Sequence, residues 1–184
     1  MITVVSGLPR SGTSLMMQML AAGGMPLQAD EARPADAHNP RGYFEDRRVK
    51  SLESDNSWVA EADGRALKVV SLLLYELPTD LHYRVLLMRR DLDEVLRSQQ
   101  AMLSRGSTVP VSAELRQHFE RHLAYLSEWL EGQLRMPFLE VDYHTVIDRP
   151  SDVAVAIARF LDRDLDVDAM ASVVDPALYR QRRS

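Results

Sequence analysis

Four apolar runs stand out along the chain, separated by longer stretches of helical period. The first, Ile2-Thr-Val-Val-Ser6, predicts a strand and passes directly into a Gly-rich loop, Gly7 to Gly12. A helix follows from Thr13 to Ala22, with Leu15, Met16, Met19 and Leu20 at core spacing, and Gly23-Gly24 stops it. Residues 25–45 carry Pro, Asp and Ala with no period, a loop long enough to be functional. A weak helix is expected around Asp46–Asn56, then strands at Ala66–Ser71 and Tyr83–Met88. Asp91 caps a helix reaching Ser104, and Gly106 and Pro110 break it. The longest helix is predicted over Ser112–Leu134, with a seam of Leu115, Phe119, Leu123, Leu126 and Leu130. Pro137–Val141 reads as the fourth strand, and Ser151 as the cap of a last helix that turns Val153, Ile157, Phe160 and Leu161 inward. Strands alternating with helices imply an α/β fold: a P-loop-type parallel sheet with helices on both faces. The 184 residues are expected to form a single domain.

The segment between the first strand and first helix, Gly7-Leu-Pro-Arg-Ser-Gly-Thr-Ser14, sits where a phosphate loop belongs. Backbone N–H groups in such a loop, with the positive end of the helix, form a concave anion site. The nucleotide-triphosphatase pattern G-x-x-x-x-G-K-[ST] is met at Gly7, Gly12 and Ser14 but not at its lysine, where Thr13 stands. The loop's cation is Arg10 instead. Transfer of a phosphoryl group from ATP normally uses that lysine with Mg²⁺. A small P-loop kinase is thus the second reading, not the first. Lysine is rare here: all other basic residues besides Lys50 and Lys68 are arginine. Lys68 lies in a strand that reads as buried, where an unpaired ammonium is costly, so it calls for an anion.

The run Pro9-Arg-Ser-Gly-Thr-Ser-Leu-Met16 resembles the 5′-phosphosulfate loop of sulfotransferases that use 3′-phosphoadenosine-5′-phosphosulfate, nearest in motif to tyrosylprotein and carbohydrate sulfotransferases. A second segment, Leu87-Met-Arg-Arg-Asp-Leu-Asp-Glu-Val-Leu-Arg-Ser98, resembles the family's strand-to-helix element. It carries an Arg followed eight residues later by Ser, here Arg90 and Ser98. In the family that pair holds the 3′-phosphate, and the spacing of just over two helical turns puts both on one face. Val141-Asp-Tyr-His-Thr-Val-Ile-Asp-Arg-Pro150 is similar to a third family segment, which would set Tyr143 near the adenine. The resemblance thus implies a nucleotide site made by Arg10, Ser11, Gly12, Thr13, Ser14, Arg90, Ser98 and Tyr143. It also implies that Lys68, with Arg10, meets the sulfuryl group. The family's Arg-Lys-Gly nucleotide loop is absent; Arg180, Arg182 and Arg183 either replace its charge or keep the end soluble.

The general base is open at this level. Aryl sulfotransferases carry a histidine two residues after the strand lysine, and here that position is Val70. Carbohydrate and tyrosylprotein members use a glutamate beyond the first helix. Glu31, 21 residues after Arg10, matches the tyrosylprotein spacing; Glu45 ends the same long loop and rivals it, with His38 a further possibility. The reaction class implied is sulfuryl transfer to a hydroxyl or amine of a small molecule or peptide. A non-catalytic sulfotransferase-like module that binds nucleotide or a partner is the third reading.

Composition narrows the partners. The absence of Cys removes disulfides, thiolate metal sites and cysteine nucleophiles. His118 and His122 are four apart but lack a visible third ligand, so no metal is expected. With a net charge of −5, the chain has no global field for nucleic acid. No apolar run nears the roughly 20 residues that span a bilayer, and the N-terminus reads as a strand, not a signal peptide. A cytoplasmic protein with no membrane partner is expected, and the long helix makes a homodimer plausible.

Overall fold

The computed structural model describes residues 1–30, 42–103 and 113–175. Its centre is β1 (Ile2–Gly7), buried along its whole length. Parallel neighbours flank it on both sides: β3 (Ala66–Val70) and β4 (Tyr83–Arg89). β2 (Leu27–Gln28) pairs outside β3 and β5 (Phe138–Asp142) outside β4, which gives five parallel strands in the order β2-β3-β1-β4-β5. A parallel sheet covered on both faces needs apolar residues at successive positions, which is why these strands read as near-continuous hydrophobic runs.

Alternation along the strands divides the core in two. Ile2, Val4, Leu67, Val69, Val85 and Leu87 face one side, with Leu126 and Leu130 of α3 (Ala113–Glu131). Three 3-10 segments, Arg47–Ser51, Ser57–Ala62 and Ser71–Glu76, add residues to that side. Val5, Ala66, Leu86, Met88 and Val141 face the other, with Met16, Met19 and Leu20 of α1 (Thr13–Ala22). That layer is completed by α4 (Tyr143–Asp148), α5 (Pro150–Leu161) and α6 (Val167–Ser172). A smaller cluster joins Leu8 to Val95 and Leu96 of α2 (Leu92–Leu103) and Phe119 of α3, fixing the loop after β1 against both helices.

Several expectations are corrected. The weak helix at 46–56 is a 3-10 segment over Arg47–Ser51, started by Asp46, whose carboxylate accepts the Arg48 N–H at 3.0 Å. The long helix stops at Glu131, because the Gly132 N–H turns back to the Trp129 carbonyl; Leu134 beyond it is fully exposed. Leu115, assigned to its seam, is exposed in the first turn. Ser151 is no cap: α5 begins at Pro150, whose fixed φ suits the first helical position and whose missing N–H loses nothing there. The long loop contains β2, whose two residues are too few for any period to reveal. α4 and α6 are also additions, each six residues long and capped by the preceding aspartate, Asp142 or Asp166.

Candidate active site

From β1 the chain builds one side of the sheet, through β2 and β3, and then crosses to β4 on the other. Such a switch opens a crevice at the carboxyl ends of the strands, where ligands of α/β sheets bind. The loop Leu8–Gly12 occupies that crevice. Gly12 has φ 104°, and a Cβ there would come within 2.5 Å of the Tyr143 ring, so only glycine lets the loop close on that side chain. Arg10 also has positive φ, 73°, a strained choice for a residue with a Cβ. No side chain caps the start of α1, and its first turn holds no acidic residue. The Ser6 and Ser11 hydroxyls are buried with no partner among the described residues. The Ser11 hydroxyl and the N–H groups of an uncapped helix start are donors that an anion satisfies.

On one side of the loop, Arg10 is tied to β4 and α2. Its Nε donates to Ser98 Oγ at 3.0 Å, and its carbonyl accepts from Arg90 Nη1 at 3.1 Å. Arg90 and Ser98, matched as a pair by their spacing, therefore meet the loop at the same residue. The Arg90 guanidinium lies 4.3 Å over the Tyr143 ring. Its Nε donates to Glu94 Oε2 at 2.9 Å, and Glu94 also receives His144 Nε2 at 3.1 Å. Burial pushes the Tyr143 phenol up from its ordinary value, so it stays neutral beside these charges. Asp91 caps α2 as expected, accepting the Asp93 and Glu94 N–H groups.

On the other side stands Lys68, in an internal strand, with its side chain only 13% exposed. Its Nζ donates to Ser14 Oγ at 3.1 Å, the Tyr43 carbonyl at 2.8 Å and Glu45 Oε1 at 3.2 Å. The anion that a largely buried lysine demands is thus Glu45, itself 29% exposed. The Glu45 backbone is held too, because its carbonyl accepts the Asp30 N–H at 2.9 Å. Asp30 in turn accepts the Arg47 N–H at 2.8 Å. Glu31, His38 and the tail arginines Arg180, Arg182 and Arg183 lie outside the described residues.

Ser11, Gly12, Thr13 and Ser14 line the loop and helix start as their positions foretell, while Glu94, His144 and Tyr43 belong to the site without having been singled out. The first had a signal: Arg90 and Glu94 are four apart at the start of a helix, a natural ion-pair spacing. Of the two histidines four apart on α3, His122 shares a 2.9 Å hydrogen bond from Nε2 with Ser71 Oγ. Among the described residues no three His, Asp or Glu side chains converge as metal ligands would. No helix among them is long and apolar enough to cross a membrane.

No protein-family model and no curated protein matches the sequence. Solved structures do. The sulfotransferase domain of the olefin synthase from Synechococcus PCC 7002 superposes with a TM-score of 0.53 at 18% identity, over 98% of this chain and 82% of that one. The sulfotransferase STF1 from Mycobacterium tuberculosis H37Rv gives a TM-score of 0.53 at 15% identity, over 95% of this chain and 71% of that one. Five parallel strands in this order, a loop after the central strand and these neighbours agree: the chain has the sulfotransferase fold.

Proposed function

We propose that the protein is a sulfotransferase that moves a sulfuryl group from 3′-phosphoadenosine-5′-phosphosulfate to a hydroxyl or amine of a small molecule or peptide. One observation carries the reading: Lys68 Nζ bridges Ser14 of the phosphate loop and the Glu45 carboxylate, so cation, anion site and candidate base share one corner. A P-loop kinase would keep its lysine in the loop itself, where this chain has Thr13.

The chain's residues fit the nucleotide. The orphaned Ser11 hydroxyl and the uncapped N–H groups of α1 suit a 5′-phosphate, and Arg90 with Ser98 suits a 3′-phosphate. When bound, the donor supplies an activated sulfuryl group on a leaving phosphate oxygen. Lys68 and Arg10 are the cations that would meet charge growing on that oxygen. Glu45 is the base we favour, through its contact with Lys68; it would take the proton of an acceptor hydroxyl as that oxygen attacks sulfur.

The reading is tested by calorimetry with 3′-phosphoadenosine-5′-phosphate, beside ADP with Mg²⁺. Preference for the bisphosphate is expected. Preference for ADP would move the protein to the kinase class, and binding of neither would leave a partner-binding role. Sulfated product formed by the native protein on a phenol or amine panel, and lost about 10²–10³-fold in Lys68→Met, would establish the transferase activity.

A further inference from the structure

Glu94 is 0% exposed, and its carboxylate is paired with Arg90. A buried carboxylate is destabilising unless matched by charge and hydrogen bonds. Here it receives Arg90 Nε at 2.9 Å and His144 Nε2 at 3.1 Å. With Glu94 ionised, the carboxylate only accepts, and the contact requires an imidazole that donates from Nε2. The Arg90 guanidinium, 8% exposed, is then held from three directions: Glu94 at Nε, the Arg10 carbonyl at one Nη, and the Tyr143 ring against its face. A planar fork fixed in this way has one orientation in which to present its donors. His144 follows Tyr143 at the start of α4, and Glu94 lies in the first turn of α2, four residues after Arg90, so the clamp joins two elements that touch the loop.

We infer that Glu94, gripped by His144, is the positioning residue that aims Arg90 at the 3′-phosphate, and that this pair sets the preference for a bisphosphate nucleotide. The inference rests on the sulfotransferase reading above. Glu94 touches no nucleotide; it acts through Arg90. A merely structural ion pair would support the fold and affect every nucleotide alike. A positioning pair affects the 3′-phosphate alone.

The discriminating quantity is the ratio of Kd values for 5′-AMP and 3′-phosphoadenosine-5′-phosphate, measured by calorimetry on the full chain. Glu94→Gln keeps the side chain's volume but turns one acceptor oxygen into a donor facing two donors. The ratio should fall about tenfold, with 5′-AMP affinity changed less than about twofold, since one charge-assisted bond is lost. His144→Ala removes the outer grip at a partly exposed position, and should lower the ratio about threefold. An unchanged ratio in either folded variant, or equal weakening of both nucleotides, overturns the inference while leaving the sulfotransferase reading intact. If Glu94→Gln does not fold, the His144→Ala ratio decides alone. A native protein that binds neither nucleotide overturns both.

Discussion

The two sides of the phosphate loop are built differently. On the Arg10 side, Arg90, Glu94 and Ser98 all come from one strand-to-helix passage, and each is nearly or wholly buried. On the Lys68 side, a strand lysine meets Glu45, which stands at the end of an aperiodic stretch; Gly42 and Phe44 just before it both have positive φ. The first side is packed as a core is packed, and holds its cation in one orientation. The second leaves its carboxylate partly open, with its backbone bonded to Asp30 and its side chain to the Lys68 ammonium. Holding a phosphate needs fixed donors, whereas taking a proton needs a group that an acceptor molecule can reach. On the function proposed above, the Arg90 side would serve mainly binding and the Glu45 side proton transfer, so substitutions at Arg90 and at Glu45 should separate affinity from turnover.

The largest effect is expected on the open side. Glu45→Gln should reduce turnover by about 10²–10⁴ and leave the affinity for 3′-phosphoadenosine-5′-phosphate within about twofold, as removal of a general base does. Glu31→Gln, assayed in parallel, should cost far less. The reverse ranking would hand the base to Glu31, and full activity in both would remove a carboxylate base.

Arg90→Ala comes next, on the closed side. Affinity for the bisphosphate should fall by about 2–4 kcal/mol, as when a desolvated charge pair loses one member, with 5′-AMP nearly unaffected. Equal losses for both ligands would show that Arg90 does not meet the 3′-phosphate. Gly12→Ala tests the point where the sides join. The added methyl would press on the Tyr143 ring at a φ of 104°, so a loss of about 1–3 kcal/mol in unfolding free energy is expected, together with weaker binding of both nucleotides. Unchanged melting would mean that the loop can open away from Tyr143 at little cost.

The smallest effect belongs to neither side. Burial, then the positive charges of His118 and Arg89, hold His122 below its ordinary pKa of 6.5. Between its folded value and 6.5 the unfolded chain binds more protons, so stability is complete above that range and declines as the pH falls through it. Thermal melts should show this slope, and His122→Gln should flatten it while leaving nucleotide preference alone. A slope that survives the substitution would assign it to other groups.

Much of this organisation is legible before folding. The apolar runs of β1, β3, β4 and β5, the loop after β1 and the bounds of α1 are all local patterns, read within a window of ten residues. So is the Arg90 to Ser98 spacing, because Arg90 stands just before the cap of the helix that carries Ser98. What the sequence alone left undecided spans long distances in the chain: Lys68 with Glu45 at 23 residues, Glu94 with His144 at 50, Arg10 with Ser98 at 88. Two-residue β2 and the 3-10 segments are equally silent, since their conformation follows from what they pack against and not from their own period. Periodicity and capping are local energies that a short segment carries with it. Which carboxylate pairs a largely buried cation is decided only when packing brings distant segments of the chain together, and that happens in the tertiary structure.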